Sequence, residues 1–461
     1  MDNHPPSLES LQREVSELTA IYHGRGWTTE ATELESAMTT AGNRILATRA
    51  DSEGMKIMLE ELAACVKTLL QANSWIVAED LGILVLDSCE KLKGEQDLMT
   101  MTAMHNLASA YWGRGQLDQA AALASRVTKL RQKILGEEHP QTLTSMTNLA
   151  STYRSQGLWA DAQELDLRVF EMKKKTIGLK HSSTLGSMSN LAISYAYLGR
   201  YEEAETIARQ LVDLGESELS PTDASLLKWK LTLASTYRDQ GRLDSAEKLE
   251  LEIVAVSRDI FGTNDHFTLT SMANLASTYR EQGRWSDAER LEKEVVASSE
   301  TVLGETHPQT LMSISNLAST YRNQGRLEEA KDLGEKATTV MKEVLGERHP
   351  HTLVAMADLA VTFQMMRQSP DAEILAARSL RLMKETIGKD HPYTLNAMAN
   401  LGFIYQSQSK WDVAGGMAET VYSRRERALG TDHPDTVAAL EDLRRIAWVE
   451  AADQNSQRTL N

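Results

Sequence analysis

The chain has 461 residues, a formal charge of −16 and two cysteines, Cys65 and Cys89. The acidic balance argues against a general binder of phosphate backbones, which needs a basic face. So few cysteines exclude a disulfide framework and favour a reducing, cytoplasmic setting. No apolar run approaches the roughly 18 residues of a membrane span. The opening Met-Asp-Asn-His-Pro-Pro lacks the basic-then-apolar order of a signal peptide.

In chain order, residues 1–7 are expected to be disordered. Residues 8–94 read as degenerate repeats. Gly26-Trp27 with Ala31 and Leu34 looks like one unit, and Trp75, Ala78 and Leu81 like the next, with about five extra residues near Ala47–Ser52. From 95 to 430 the pattern is regular. Leu107, Leu149, Leu191, Leu233, Leu275, Leu317, Leu359, Leu401 and Leu443 recur every 42 residues, and a tyrosine (Phe363 once) follows most of them by four. A fixed period of this length marks stacked supersecondary units, with partner binding as the default function.

The unit from Pro140 shows the pattern. Proline suits the first helical turn, and Thr142 or Gln141 is expected to help cap it. Met146, Leu149, Ala150 and Tyr153 fall on one helical face, and Gly157 reads as the stop. A second helix carries Ala162, Leu165, Val169 and Met172 on one face and ends near Gly178. Around 215–232 the loop chemistry changes and Lys230 takes the position of Met146 and Met188. Inward rotation of Trp229 or Leu231 is the expected compensation, local opening of the helix pair the alternative. Residues 431–452 read as a polar capping helix and 453–461 as a disordered tail.

The stretches His307-Pro308-Gln309-Thr310-Leu311 and Asn316-Leu317-Ala318-Ser319-Thr320-Tyr321-Arg322-Asn323-Gln324-Gly325-Arg326, then Ala330 and Val344-Leu345-Gly346, have near-copies throughout. They resemble the tetratricopeptide repeat in its 42-residue, kinesin-light-chain-like form, as in fungal repeat proteins. The resemblance implies an all-α, right-handed superhelical solenoid of about ten helix-turn-helix repeats with a C-terminal capping helix. In that group such arrays often follow a nucleotide-binding domain of the immune-receptor type. No G-x-x-x-x-G-K-[ST] occurs here, nor the long heptad segment that joins light chains to a motor.

In such arrays the first helix of each unit lines a concave groove. Its non-core face here carries Asn148, Asn190, Asn274 and Asn316, with Ser235, Ser277 and Ser319 and a rim of Arg154, Arg238, Arg280 and Arg322. An asparagine amide offers donor and acceptor to an extended peptide backbone. Arginine adds a fork suited to carboxylates. The bland alternatives are asparagines bonded to the adjacent helix and arginines paired with surface acids. The arginines are read as rim residues whose reversal to glutamate leaves the fold intact. The combination is densest over Tyr237–Tyr321.

Histidines at loop positions (His139, His181, His266, His307, His349, His391 and His433) stand too far apart, about 10 Å per unit, to share a metal. His105 lies near the groove face, alone. Cys65 and Cys89 read as buried apolar residues. No catalytic, cofactor or metal signal rises above chance. The reading is a non-catalytic interaction scaffold for an extended, acidic peptide, with neither nucleic acid nor membrane insertion, and self-association left open. The alternatives are an effector array beside a nucleotide-binding immune-type receptor, or an enzyme or small-molecule binder using the groove.

Overall fold

A computed structural model of the chain describes residues 7–48 and 53–460. Among these residues the regular structure is helical throughout. The chain divides into two compact units, Met1–Gln156 and Gly157–Asn461. The first contains α1 (Leu8–Gly24), α2 (Thr28–Thr48), α3 (Gly54–Gln71), α4 (Trp75–Lys93), α5 (Leu98–Gly113), α6 (Leu117–Leu135) and α7 (Pro140–Ser155). The second contains α8 (Trp159–Ile177), α9 (Ser182–Tyr197), α10 (Tyr201–Glu218), α11 (Ala224–Asp239), α12 (Leu243–Phe261), α13 (His266–Glu281) and α14 (Trp285–Val302). It continues through α15 (Pro308–Asn323), α16 (Leu327–Val344), α17 (Pro350–Met365), α18 (Ser369–Thr386), α19 (Pro392–Ser407), α20 (Trp411–Leu429) and α21 (Pro434–Leu460). In chain order the helices alternate as A and B, ten of each, before α21, as the 42-residue period predicts.

The two ends differ in detail from the expectation. Ser7 caps α1, and residues 1–6 lie outside the described residues. So do residues 49–52, where most of the extra segment near Ala47–Ser52 falls. The last helix continues to Leu460 instead of closing at 452, so the expected tail lies in helix, save residue 461, which is outside the described residues. Among the described residues no helix is long and apolar enough to cross a membrane.

Small residues set the spacing of the hairpins. Ala78 and Ala120 in the first unit, and Ala162, Ala204, Ala246, Ala288, Ala372 and Ala414 in the second, are fully buried. Each lies in the first turn of its helix B, where a bare Cβ lets backbones approach. Leucine and methionine of helix A fill the space between: Met101, Met104 and Leu107, or Met272 and Leu275, are almost wholly excluded from water. Helix A ends on a residue with positive φ, which is glycine in most units. Asn73, Arg367 and Ser409 hold the same backbone, at φ of 58°, 62° and 56°.

The loop histidines prove to be helix caps. His139, His181, His307, His349, His391 and His433 stand at the N-cap, and each Nδ1 accepts the backbone N–H two residues on, at 3.1–3.2 Å. Neither Gln141 nor Thr142 caps α7; His139 does. Aspartates take over at Asp97, Asp223 and Asp265, so His266 is the one loop histidine inside its helix.

A second recurring device joins one hairpin to the next. Arg326 stacks on the ring of Tyr321, 3.9 Å from its centroid, and donates to Glu289 on the preceding helix B at 2.8 Å. Gln324 donates to the same carboxylate at 2.9 Å. Arg284 with Gln282 grips Glu247 in the same way, and Arg242 with Gln240 grips Glu205. Burial pulls the Glu205 and Glu289 carboxyls upward, but these hydrogen bonds, with one from Arg209 to Glu205 and the strongest at Glu289 from Lys293, outweigh it and hold both at about 2. The Gln-Gly-Arg signature thus encodes a carboxylate clamp between units.

The irregular unit is compensated. Trp229 turns inward to 5% exposure, into space left by Gly215, where a Cβ would stand 2.9 Å from the indole. Lys230 stays buried because Glu216 and Glu252 meet its Nζ at 3.0 and 2.7 Å. Leu231 remains half-exposed.

The second unit also meets itself at long range. The ring of Tyr201 lies 6.2 Å from His433. A Cβ on Gly199, at φ +70°, would lie 2.4 Å from that imidazole. Gly241 has the same φ, +72°, with nothing within 4 Å. Gly241→Ala should therefore lose about 1 kcal/mol through backbone strain alone. Gly199→Ala should lose at least twice that in the same denaturant titration, because overlap adds to strain.

Acid should also release the caps. Burial holds His307 and His433 below the ordinary imidazole range; His266 adds to this at the first, while at the second Asp435 opposes it. The folded state keeps these rings neutral, so the unfolded chain takes up their protons first. Their stabilisation is complete above about pH 6.5 and falls as pH drops toward the lower folded values. Melting temperature should decline between pH 7 and 5, and the double change His307→Asn, His433→Asn, which keeps a capping acceptor, should flatten that decline.

Candidate functional site

In the second unit, the exposed side of helix A carries Asn190, Asn274 and Asn316. Each is half-buried, and among the described residues none of their side-chain amides has a hydrogen-bond partner. Their polar atoms remain open to solvent, since none is among the buried unsatisfied groups. Donor and acceptor pairs thus stand unengaged on α9, α13 and α15, with Thr232 at the same register of α11.

The arginines beside them are engaged. Arg238 donates to Ser235 Oγ at 3.3 Å, to the Asn274 carbonyl at 3.3 Å and to Glu250 at 3.3 Å, with Glu281 at 3.6 Å. Arg322 donates to Ser319 Oγ at 2.8 Å and to the Asp358 carbonyl at 3.0 Å. Arg280 meets Ser277 at 3.4 Å and Glu292 at 3.5 Å. Only 14% of the Arg238 side chain and 21% of that of Arg280 is exposed. Burial draws Arg322 below the usual guanidinium range, against the attraction of Asp358. These side chains fold back along the face: Arg238 and Arg322 tie one helix A to the next, and Arg238 and Arg280 pair with glutamates of their own helix B. Ser235, Ser277 and Ser319 orient them.

The first unit is built differently. Asn148 does not stand free: its Nδ2 lies 3.2 Å from His105 Nε2 on α5. Asn106 donates to the Ala63 carbonyl at 3.4 Å. Arg154 is also engaged. His105, which looked solitary in sequence, thus has a partner one repeat later. Beside this pair lies a cavity of about 600 Å³, lined from α3 to α7 by Lys67, Trp75, His105, Trp112, Ser145 and Asn148 among others. The Trp75 and Trp112 rings meet edge to face at 6.5 Å. Trp75 has room only because residue 113 is glycine: a Cβ there would stand 2.2 Å from the indole. Burial first, and the Arg131 charge second, lower the His105 imidazole to about 4, so it is neutral at physiological pH.

Sequence reasoning placed the densest site at Tyr237–Tyr321 and passed over this cavity. The signal was present: Trp112 occupies the register of Arg154, Arg238, Arg280 and Arg322, and His105 that of small or aliphatic residues. Cys65 and Cys89 are buried free thiols, raised by burial to about 12 and about 11. Among the described residues no three histidine, cysteine or acidic side chains cluster to hold a metal ion.

Family models of the tetratricopeptide repeat match residues 99–175, 141–217, 180–259, 224–301 and 309–385, and a second such model matches 394–435. Together they span more than half of the chain. No curated protein matches it. Among solved structures, the chain is similar to nearly identical TPR-like repeats assigned to a Podospora anserina kinesin light chain, at 30% identity over 45% of this chain and 98% of that one, with a TM-score of 0.38. It is also similar to BtubC from P. vanneervenii, at 19% identity over 51% and 92% of the two chains and a TM-score of 0.41. The apo quorum sensor NprR from B. thuringiensis aligns at 18% identity over 78% and 98%, with a TM-score of 0.48.

The arginine geometry reverses one expectation. Arg322→Glu removes a buried donor from the Asp358 carbonyl and sets a carboxylate near Asp358. It should lose about 2–4 kcal/mol by chemical denaturation. Arg348→Glu, at an exposed pair with Glu385, should change stability by less than about 1 kcal/mol.

Proposed function

Because the chain belongs to the tetratricopeptide-repeat family, we propose that it is a non-catalytic scaffold that holds an extended segment of a partner protein against the helix-A face of residues 157–461. The observation that carries this reading is the row of half-buried, unengaged amides at Asn190, Asn274 and Asn316. An unpaired polar side chain in a half-buried setting gains most from a ligand that brings the missing partner. An amide can receive a peptide N–H and donate to a peptide carbonyl at once, whatever the side chains nearby. Neighbouring packed helices lie about 8–10 Å apart. Three residues of an extended chain span about 10 Å, so one backbone can meet Asn274 and Asn316 in turn and reach Asn190 two repeats from Asn274.

An acidic preference rested on free guanidinium forks at Arg238, Arg280 and Arg322. With those groups bonded inside the stack, selection falls instead to the main chain and to the residues between the rungs. Two buried free thiols favour the cytoplasm as the setting.

A peptide array screened with the whole chain supplies the ligand. The triple change Asn190→Ala, Asn274→Ala, Asn316→Ala should weaken the selected peptides at least tenfold. Helicity and melting temperature should stay the same or rise slightly, since no internal bond is lost and alanine favours helix. Equal binding by the variant would sink the reading.

A further inference from the structure

Behind one wall of the cavity of the first unit stands a buried cation. Arg131 on α6 is 96% buried, from its 4% exposure, yet no carboxylate pairs with it. Its guanidinium donates to Ser145 Oγ at 2.6 Å, the Gln141 carbonyl at 3.2 Å and the Met101 carbonyl at 3.5 Å, and its Nε has no partner at all. Burial alone accounts for its lowered basicity. A buried charge without a counter-ion is costly, and breaking such pairs is among the largest single losses in proteins. Lys230 and Arg238 each have two acids and Arg280 one, whereas Arg322 and Arg425, like Arg131, are held by neutral acceptors alone among the described residues.

Ser145, which accepts from Arg131 and donates to the Gln141 carbonyl at 3.1 Å, lines the cavity. So does Lys67, exposed on α3 and without an ion pair. No aspartate or glutamate lines the cavity, in a chain of net charge −16. The walls opposite are the Trp75 and Trp112 rings at right angles, with Trp112 42% exposed. Its volume of about 600 Å³ is that of a small-ligand site.

We infer that this cavity binds an aromatic carboxylic acid, its ring against the Trp75–Trp112 corner and its carboxylate turned toward Ser145 and Lys67, where it supplies the counter-charge Arg131 lacks. Two sources share that chemistry: a free small aromatic acid, and the C-terminal aromatic residue of a peptide. The site is independent of the asparagine row in the second unit.

The test is calorimetric titration of the full chain with N-acetylphenylalanine and with its amide, and in parallel with a hexapeptide ending in phenylalanine, as free acid and as amide. The free acids should bind at least tenfold more tightly than the amides. Trp112→Ala, at an exposed position, should lose binding tenfold or more with the fold intact. Arg131→Met should reduce the acid-over-amide preference to less than twofold. Should that variant not fold, Ser145→Ala with Lys67→Gln should do the same. Binding of N-acetylphenylalanine itself identifies a free small acid as a ligand, and binding of the peptide alone a chain terminus; both support the inference. Equal binding of acid and amide, no binding of either acid at millimolar concentration, or undiminished binding by Trp112→Ala would overturn it.

Discussion

Each hairpin of this chain can bury its apolar face only against another hairpin, and that requirement governs everything else. It fixes alanine where helices approach most closely and leaves little freedom along the seam. It also creates a polar problem, since glutamates on helix B face the next repeat at its margin. The recurring answer is a clamp in which glutamine and arginine hold the carboxylate while the arginine lies on the preceding tyrosine. Stacking on the ring costs the guanidinium little, because both of its edges remain able to donate. The same tyrosine thus serves as packing and as the platform that aims a charge.

Much of this was legible in the sequence, and the limits are instructive. Period, helix faces and glycine stops follow from spacing and size, which left the compensation for Lys230 open between Trp229 and Leu231. The capping role of His139 and its counterparts did not, because capping is ordinarily assigned to serine, threonine, asparagine and aspartate. An imidazole caps only when Nδ1 is unprotonated, which depends on surroundings that spacing does not report. The arginines were assigned to the correct face but the wrong direction. Periodicity locates a Cα on a helix surface, whereas a long side chain chooses between solvent and the next helix by the acceptors it finds there. For Arg322 those acceptors are Ser319 Oγ and the Asp358 carbonyl, 36 residues on.

The asparagines show the complementary case. At one register position Asn106 and Asn148 bond to neighbouring helices, whereas Asn190, Asn274 and Asn316 do not. Sequence alone treats them as equivalent. Asn148 finds the His105 ring and Asn106 the backbone carbonyl of Ala63, whereas the equivalent positions before Asn274 and Asn316 are Leu231 and Ala273, whose side chains can neither accept nor donate.

Departures from the repeat therefore divide by whether the surrounding stack answers them. Trp229 is answered by Gly215, and Lys230 by Glu216 and Glu252, so that unit differs in sequence while its packing stays closed. Arg131 is answered only by a hydroxyl and two carbonyls. These dipoles lower the cost of burying the charge without neutralising it. Trp112 takes the register of a guanidinium and, like it, reaches the next helix A, donating from Nε1 to Ser155 Oγ at 2.8 Å, while its ring walls the cavity. In an array built from near-copies, an uncompensated departure is the feature least explained by stacking. It is therefore where a reason outside stacking, such as a ligand, has most to explain.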